Sequence, residues 1–299
     1  MRKYQKVLVI VGPTSSGKSA LAVELAKKFN GEVLSADSRQ VYRGLDIGTG
    51  KITKKEMQGV RHHLLDVVSP KKVFTAHNFV ERGRKAIDEI IARSKLPIIA
   101  GGTGFYIDAL LGRVSLPDVA VNPRQRARLE KQTTAQLFAL LKKKDPRRAR
   151  TIDPHNKRRL IRALEIVAAT GKVPINDLRG RYSAMWIGLM LPKRQLAKKI
   201  ADRLRARLKQ GLVAEARRLN RAGLSYKRME QLGLEYRVLA RHLRGEITRL
   251  EMIEQIDRGI RRYAKRQLTY WRRNRKVRWF SPDQQSAIER LASKHCKSM

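Results

Sequence analysis

The sequence has one cysteine, few aromatic residues and far fewer acidic than basic side chains. The single cysteine, Cys296, excludes an internal disulfide framework and any zinc site built from clustered cysteines. The apolar run at 7–11 is too short to cross a membrane, and the first residues lack the pattern of a secretory signal peptide. We therefore expect a cytoplasmic protein without a membrane segment.

Acidic residues number 26 against 67 Lys and Arg, which gives a net charge of +41. Residues 1–112 carry a net charge of +9, whereas residues 113–299 carry +32. With 42% hydrophobic residues, the chain is too apolar for a disordered polycation. This distribution predicts a folded protein with a polyanionic partner: nucleic acid is the first candidate and an anionic membrane surface the second.

Short apolar runs alternate with amphipathic segments in the first part of the chain. Runs that predict strands lie at 6–12, 32–37, 63–68, 96–102 and 185–191, and helix patterns lie at 19–29 and 78–93. This alternation predicts an α/β fold in which helices cover both faces of a parallel, P-loop NTPase-like sheet. Ligands of such sheets bind at the carboxyl ends of the strands.

The segment 117–182 is very basic and has no strand pattern, but it has helix patterns over 123–144 and 145–170. We predict that it is a helical insertion domain, and that residues 1–116 and 183–299 together form the catalytic core. Further helix patterns and one short strand pattern follow at 195–210, 213–222, 232–243, 248–273 and 279–280. The tail beyond residue 282 has a weaker pattern, and we expect it to be frayed.

A phosphate-binding loop is indicated by G-x-x-x-x-G-K-[ST], which the chain matches after a predicted strand and before a predicted helix. Its residues are Gly12, Pro13, Thr14, Ser15, Ser16, Gly17, Lys18 and Ser19. Backbone N–H groups of such a loop and the helix N-terminus bind a diphosphate or triphosphate, such as that of ATP. The lysine adds a full charge, and the Ser19 hydroxyl is a candidate Mg²⁺ ligand. The motif does not establish that ATP is hydrolysed.

Two polar positions follow other predicted strands and therefore face the same crevice. Asp37, after the second strand, is a candidate general base or magnesium ligand, although a helix cap explains it equally simply. Thr103 lies in a glycine cluster after the fourth strand, where a ligand can approach the backbone. Asp66 resembles the acidic end of a Walker B strand, but a structural role is an open alternative.

Seven runs of the chain match one known family: GPTSSGKS (12–19), SADSRQVYRGLDIGTGK (35–51), HHLLD (62–66), PIIAGGTGFY (97–106), RRLIRALEI (158–166), QGLVAEA (210–216) and YAKRQLTYWRR (263–273). By these runs, over about residues 6–280, the chain resembles the tRNA dimethylallyltransferase family, also called tRNA isopentenyltransferases. The resemblance implies transfer of a dimethylallyl group from dimethylallyl diphosphate to N6 of the adenine 3′ of the anticodon, in tRNAs reading codons beginning with U. Diphosphate is the leaving group, Mg²⁺ is the cofactor, and we expect a monomer.

The resemblance also implies roles for individual residues. Asp37 would accept the proton of the adenine amine, Thr103 would hydrogen-bond near the reacting adenine, and Arg203 would lie near the diphosphate. Contacts with the anticodon stem-loop are implied for Asp37, Ser38, Arg39, Gln40, Thr103, Arg126, Arg158, Arg159, Leu160, Ile161 and Arg162. The basic insertion would bind one side of the stem-loop, and the arginine-rich helix at 261–273 would bind the other.

Two other functional classes remain open at the level of sequence. A P-loop kinase, or an enzyme that prenylates free adenine nucleotides, would use the same loop but would not need the basic half. An NTP-gated RNA-binding protein would explain the charge but would give Asp37 no task. The run at 232–236, LGLEY, departs from the family pattern IGYKE, so an RNA contact from that run is in doubt.

Overall fold

The computed structural model describes residues 4–114, 116–174 and 181–297. The strands are β1 Gln5–Val11, β2 Gly31–Ser35, β3 His62–His63, β4 Leu96–Ala100, β5 Tyr182–Leu189 and β6 Arg278–Phe280. They form one sheet in the order β3-β2-β4-β1-β5-β6, and every pairing is parallel. The α/β fold with a parallel sheet, predicted from the alternating pattern, is therefore confirmed.

The helices are α1 Lys18–Lys28, α2 Lys54–Met57, α3 Ala76–Ala92, α4 Gly104–Leu110, α5 Pro123–Glu130, α6 Thr134–Lys144, α7 Pro146–Ala149, α8 Lys157–Thr170, α9 Lys193–Lys209, α10 Leu212–Arg221, α11 Tyr226–Gln231, α12 Leu234–Leu243, α13 Arg249–Arg272 and α14 Gln285–Lys297. In the described residues, no helix has the length and apolar character needed to span a bilayer.

The chain forms two compact units. The larger unit joins Met1–Leu111 to Gly180–Met299 and contains the sheet. The smaller unit, Gly112–Arg179, contains α5 to α8, whose apolar side chains pack into a core of their own around Leu137, Leu141 and Leu160. Its boundaries lie within five residues of those expected from the sequence, 117 and 182.

The third strand is shorter than the pattern at 63–68 predicts. It ends at His63, because Leu64 and Asp66 adopt left-handed backbone conformations with φ of 63° and 55°. The chain therefore turns after two paired residues, and the Asp66 carboxylate pairs with Lys51. A run of apolar residues cannot reveal such a turn, because hydrophobicity reports burial and not the sign of φ.

Residues 285–297 are not frayed, so the expectation of a frayed tail was wrong for this part of the chain. They form α14, whose Ile288, Leu291 and Ala292 are buried in the same cluster as Leu8 and Ile10 of the central strand. Helix α14 contacts β1 and β5. The apolar residues recur at 288, 291 and 292, a helical spacing that indicates one buried face.

A buried carboxylate on β2 joins the sheet to the helical layer. Glu32 is 1% exposed and accepts hydrogen bonds from His63 at 2.7 Å and from Arg93 at 2.7 Å, and Lys95 lies 3.2 Å away. Burial alone would raise the pKa of this carboxyl. The hydrogen bonds from Arg93, His63 and Lys95 outweigh burial and lower the pKa to about 2.

Replacing Glu32 by Gln is expected to lower the free energy of unfolding by roughly 3 kcal/mol at neutral pH, because three basic groups lose their shared anion. The folded pKa of about 2 lies below the ordinary 4.5. The stabilisation is therefore full above about pH 4.5 and is lost as the pH falls toward 2. Urea unfolding of both proteins at several pH values measures this. Glu81→Gln on the exposed face of α3 is the control, and a difference that grows on acidification would contradict the assignment.

Candidate active site

The phosphate-loop motif lies between β1 and α1, at the carboxyl edge of the sheet. Gly17 precedes α1 with φ of 96°, a left-handed conformation that favours glycine. The first turn of α1 contains no acidic side chain, and no side chain caps its N–H groups. This arrangement leaves the positive end of the helix available to an anion.

A cavity of about 550 Å³ opens beside this loop. Its lining includes Thr14, Ser15, Ser16, Gly17, Lys18, Ser19, Asp37, Gln40, Arg203, Tyr263 and Gln267. Gly12 and Pro13 are not among the lining residues. Gly12 lies against the Leu189 carbonyl, where a Cβ would collide, and Pro13 offers its carbonyl to the loop lysine. These two residues therefore shape the loop.

Two cations line the cavity, the half-buried Lys18 and the more exposed Arg203. Lys18 Nζ donates to the Pro13 carbonyl at 2.6 Å, and Arg203 Nη2 donates to the Gly50 carbonyl at 2.9 Å. Burial, with a further contribution from Arg203, lowers the pKa of Lys18 to about 7. Burial and the neighbouring Arg207 lower the pKa of Arg203 to about 10. Both shifts mean that the site favours an incoming anion, which would restore the ordinary pKa of each cation.

The side of the cavity opposite the phosphate loop is built from the ends of β2 and β4. Asp37 Oδ1 accepts the backbone N–H of Arg39 at 2.8 Å and that of Gln40 at 3.4 Å. Thr103 Oγ1 accepts the backbone N–H of Ser38 at 3.0 Å. The structure thus joins the two turns that carry Asp37 and Thr103. One Asp37 oxygen is held by backbone, and the carboxylate lines the cavity that also contains Lys18.

Arg39 and Gln40 extend away from Asp37 and hold neighbouring segments. Arg39 Nη1 donates to the Gln231 carbonyl at 3.2 Å. Gln40 Nε2 lies 3.4 Å from the Gly50 carbonyl, at the limit of a hydrogen bond. Ser38, Arg39 and Gln40 are each half-buried, so part of every side chain remains accessible.

Two residues of α13 complete the cavity, although the sequence analysis gave them no role. Gln267 is buried; its Oε1 accepts the Thr14 N–H at 2.7 Å, and its Nε2 donates to the Gly102 carbonyl at 3.0 Å. A Cβ at Gly102 would collide with this amide, so glycine is needed there. Burial and Asp37 raise the pKa of Tyr263, whose side chain hydrogen-bonds to Thr103. Both residues belong to the run YAKRQ, and this run was the sequence feature from which a role at the cavity could have been predicted.

Oxygen ligands for a divalent cation are present in the cavity. Ser19, Asp37, Glu56 and Asp202 all line it. In the described residues, no cluster of three or more His, Cys, Asp or Glu side chains could hold a metal. A site with one or two protein ligands fits Mg²⁺, because this ion takes its remaining ligands from water and substrate phosphates. Asp66 does not line the cavity, since its carboxylate pairs with Lys51.

In the smaller unit, the predicted RNA-contacting residues divide into buried and exposed groups. Leu160 and Ile161 are fully buried in the core of this unit, so their side chains cannot contact RNA, and the prediction is corrected for both. Arg158 and Arg159 are exposed on α8. The motif predicted contacts for the whole run, because a motif does not show which face of a helix is buried.

The other two arginines of this set bind a buried carboxylate. Arg126 donates to both oxygens of Glu165 at 2.8 Å, and Arg162 Nη1 lies 3.3 Å from the same group. Arg162 Nη2 also donates to the Val119 carbonyl at 2.8 Å. Glu165 therefore holds α5 and α8 together and fixes two half-buried guanidinium groups.

The strand order, the loop at 12–19 and the helix that follows it define a P-loop-type α/β protein, a class whose members bind phosphorylated ligands at the carboxyl edge of the sheet. The family model for IPP transferase matches residues 40–274. The chain therefore belongs to the IPP transferase family of enzymes.

Curated relatives agree over nearly the whole length. A tRNA dimethylallyltransferase of Caldanaerobacter subterraneus is 40% identical, over 96% of this chain and 95% of that protein. A tRNA dimethylallyltransferase of Thermomicrobium roseum is also 40% identical, over 100% of this chain and 93% of that protein.

Solved structures of enzymes with these names are similar to this chain over nearly its whole length. The tRNA isopentenylpyrophosphate transferase of Bacillus halodurans superposes with a TM-score of 0.75 at 37% identity, covering 97% of this chain and 96% of that one. A eukaryotic dimethylallyltransferase acting on tRNA superposes with a TM-score of 0.82 at 28% identity, covering 98% of this chain and 77% of that one.

The lowered pKa of Lys18 has a consequence for stability. In the unfolded chain a lysine has a pKa of 10.5, so folding to a pKa of about 7 opposes protonation and costs free energy below about pH 7. This cost diminishes as the pH rises from about 7 to 10.5. Lys18→Met is therefore expected to raise the free energy of unfolding by about 1–2 kcal/mol at pH 6, and by less at pH 9. Urea unfolding at both pH values measures the gain; a gain larger at pH 9 would contradict the assignment.

Proposed function

We propose that this enzyme transfers a dimethylallyl group from dimethylallyl diphosphate to N6 of the adenine immediately 3′ of the anticodon, in tRNAs reading codons beginning with U. Diphosphate is released. The observation that carries the proposal is that the phosphate loop and Asp37 line the same cavity. A donor held by the loop and an acceptor base held by Asp37 would then meet in one place. We propose further that the enzyme acts as a cytoplasmic monomer.

The proposed donor site consists of the loop residues 14–19 together with Arg203. Breaking the allylic carbon–oxygen bond moves an electron pair onto the departing diphosphate, whose negative charge grows. Backbone N–H groups, Lys18 and Arg203 stabilise that charge, because hydrogen bonds to the Pro13 and Gly50 carbonyls already orient the two cations. The bound anion raises the pKa of Lys18 above its value in the free protein and so favours the charged form.

The proposed acceptor site consists of Asp37 and Thr103. The exocyclic amine of adenine is a weak nucleophile, since its lone pair is delocalised into the ring. As N6 attacks the donor carbon, one N6 proton passes to an Asp37 oxygen, and the product amine stays neutral. The backbone N–H groups of Arg39 and Gln40 hold Oδ1, so the orientation of the carboxylate is fixed. Thr103 fixes the same turn through Ser38.

Ser19 would hold the Mg²⁺ that the family implies, with water and the donor diphosphate as further ligands. When bound, this ion supplies further positive charge for the leaving diphosphate. The protein itself contributes the serine hydroxyl at the first turn of α1, next to Lys18.

The basic residues supply the proposed RNA-binding surface. Residues 112–179 contain 17 Lys and Arg against six Asp and Glu, and two of these acids, Asp145 and Glu165, are buried. The surface of the smaller unit is thus strongly cationic, as binding of an anticodon stem-loop requires. Arg158 and Arg159 are its exposed candidates, and the arginines of α13 provide a second basic surface on the larger unit. The adenine must leave the loop stack to reach Asp37.

The proposal is tested with purified protein, Mg²⁺, radiolabelled dimethylallyl diphosphate and an unmodified tRNA that has an adenine 3′ of its anticodon, without ATP. Label in the tRNA is the expected result, and the same tRNA with guanine at that position is the control. ATP consumption with a small acceptor, and no label in RNA, would instead indicate a kinase-like enzyme.

Asp37→Asn is expected to lower the rate of transfer by about 10²–10⁴-fold, because the amide cannot accept the proton from N6. Affinity for tRNA should change little, since the side chain keeps its shape and its bonds to backbone N–H groups. Single-turnover kinetics and a tRNA-binding titration separate the two effects. A variant that transfers label at the parental rate would exclude Asp37 as the base.

Raising the salt concentration from 50 to 200 mM is expected to weaken tRNA binding by about 10³-fold or more, because several condensed counterions are released on binding. Filter binding over a salt series measures the slope. Replacing Arg158 and Arg159 together by Ala should make the slope shallower by about one to two units, whereas Lys18→Met should leave it unchanged. A flat response in the parent protein would mean that phosphate contacts do not drive binding.

A further inference from the structure

Glu215 on α10 is a buried carboxylate that no role proposed so far uses. It is 3% exposed. One oxygen accepts the backbone N–H groups of Asp46 at 3.0 Å and of Ile47 at 2.8 Å. The other accepts the N–H of Gly48 at 2.9 Å and the hydroxyl of Tyr236 at 2.6 Å. Four hydrogen bonds from neutral donors therefore hold this carboxylate.

The three N–H groups come from consecutive residues, so the carboxylate closes a turn in the way a bound anion closes a backbone nest. The turn has few conformations available while Glu215 occupies it. Tyr236 packs on the same turn, and a Cβ at Gly48 would collide with its ring. Glu215 thus holds the first three residues of the segment 46–50, to which the structure gives no regular helix or strand, and Arg207 and Gln40 contact the carbonyls of Gly48 and Gly50.

The far end of this segment reaches the cavity. The Gly50 carbonyl accepts Arg203 Nη2 at 2.9 Å, and Thr49 lines the cavity beside Arg203. A Cβ at Gly50 would collide first with the Arg207 guanidinium and also with that of Arg203, so both guanidinium groups pack closely on this residue. The position of the Gly50 carbonyl therefore fixes the direction in which the Arg203 guanidinium points.

We propose that Glu215 is a positioning residue. By holding the turn at 46–48, it fixes the position of the Gly50 carbonyl, and this carbonyl orients the Arg203 guanidinium toward the donor diphosphate. This inference rests on the proposed function, which assigns the diphosphate to Arg203. Glu215 itself does not line the cavity, so it acts only through the segment and the guanidinium.

If Glu215 only stabilised the fold, its replacement would lower the affinity for every ligand by a similar factor. A positioning residue, in contrast, affects the ligand of Arg203 and loses that effect when Arg203 is removed. A double-mutant cycle distinguishes the two, because the coupling between Glu215 and Arg203 is measured directly.

The cycle uses full-length parent protein, Glu215→Gln, Arg203→Ala and the double variant. Binding of inorganic diphosphate with Mg²⁺ is measured by calorimetry. Glu215→Gln puts an amide N–H₂ against backbone N–H groups, and we expect diphosphate affinity to fall roughly tenfold. In the Arg203→Ala background the same change should cost less than about twofold. An equal loss in both backgrounds would overturn the proposal.

Two further readouts accompany the cycle. Glu215→Gln should raise KM for the donor more than it lowers kcat, and the dissociation constant for tRNA should be unchanged; a uniform loss of both affinities would also overturn the proposal. Glu81→Gln, the same substitution on an exposed face of α3, is the control and should match the parent. If Glu215→Gln does not fold, Glu215→Asp, which keeps the charge but withdraws it by one methylene, takes its place in the cycle.

The cycle does not depend on tRNA, so its result is separate from the proposed function. A parent protein that binds diphosphate but labels no tRNA would refute the proposed reaction and leave the cycle valid. Additive losses in an enzyme that labels tRNA would refute only the role of Glu215.

Discussion

The structure depends on holding two cations, Lys18 and Arg203, in the wall of one cavity. Burial lowers the pKa of both, and a neighbouring guanidinium adds to each shift: Arg203 lowers the pKa of Lys18, and Arg207 lowers the pKa of Arg203. Each cation is held by a backbone carbonyl, Lys18 by Pro13 and Arg203 by Gly50. A bound anion would relieve the repulsion between these cations. The positive charge of the free cavity therefore favours binding of an anionic ligand.

The rest of the larger unit holds this cavity in shape. Gln267 of α13 joins the phosphate loop to the Gly102 turn and satisfies one backbone group on each side. Thr103 joins that turn to the one that carries Asp37. Glu215 holds the segment that ends at Gly50. The phosphate loop and the turns that carry Asp37 and Thr103 are therefore connected by hydrogen bonds between segments that lie far apart in sequence.

The sequence predicted much of this architecture because the signals were local. The phosphate loop is a contiguous motif whose glycines and lysine act through neighbouring backbone. Asp37 and Thr103 follow strands, and the strands of a parallel sheet end at one edge. The predicted length of the third strand was wrong, because the hydrophobicity of a run does not reveal the left-handed conformations of Leu64 and Asp66. The helix after residue 282 was missed because its stability comes from the sheet it covers.

The sequence by itself determined the fold class, the phosphate loop, the family and the unequal charge of the two halves, because each follows from residues adjacent in the chain or from simple counting. Only the tertiary structure decided which residues share the cavity. Gln267 and Tyr263 enter it from a helix more than 150 residues beyond Thr103 in the sequence, and Leu160 is buried although the preceding Arg159 is exposed. Such choices depend on which helix face packs against a neighbour, and side-chain identity alone does not specify that.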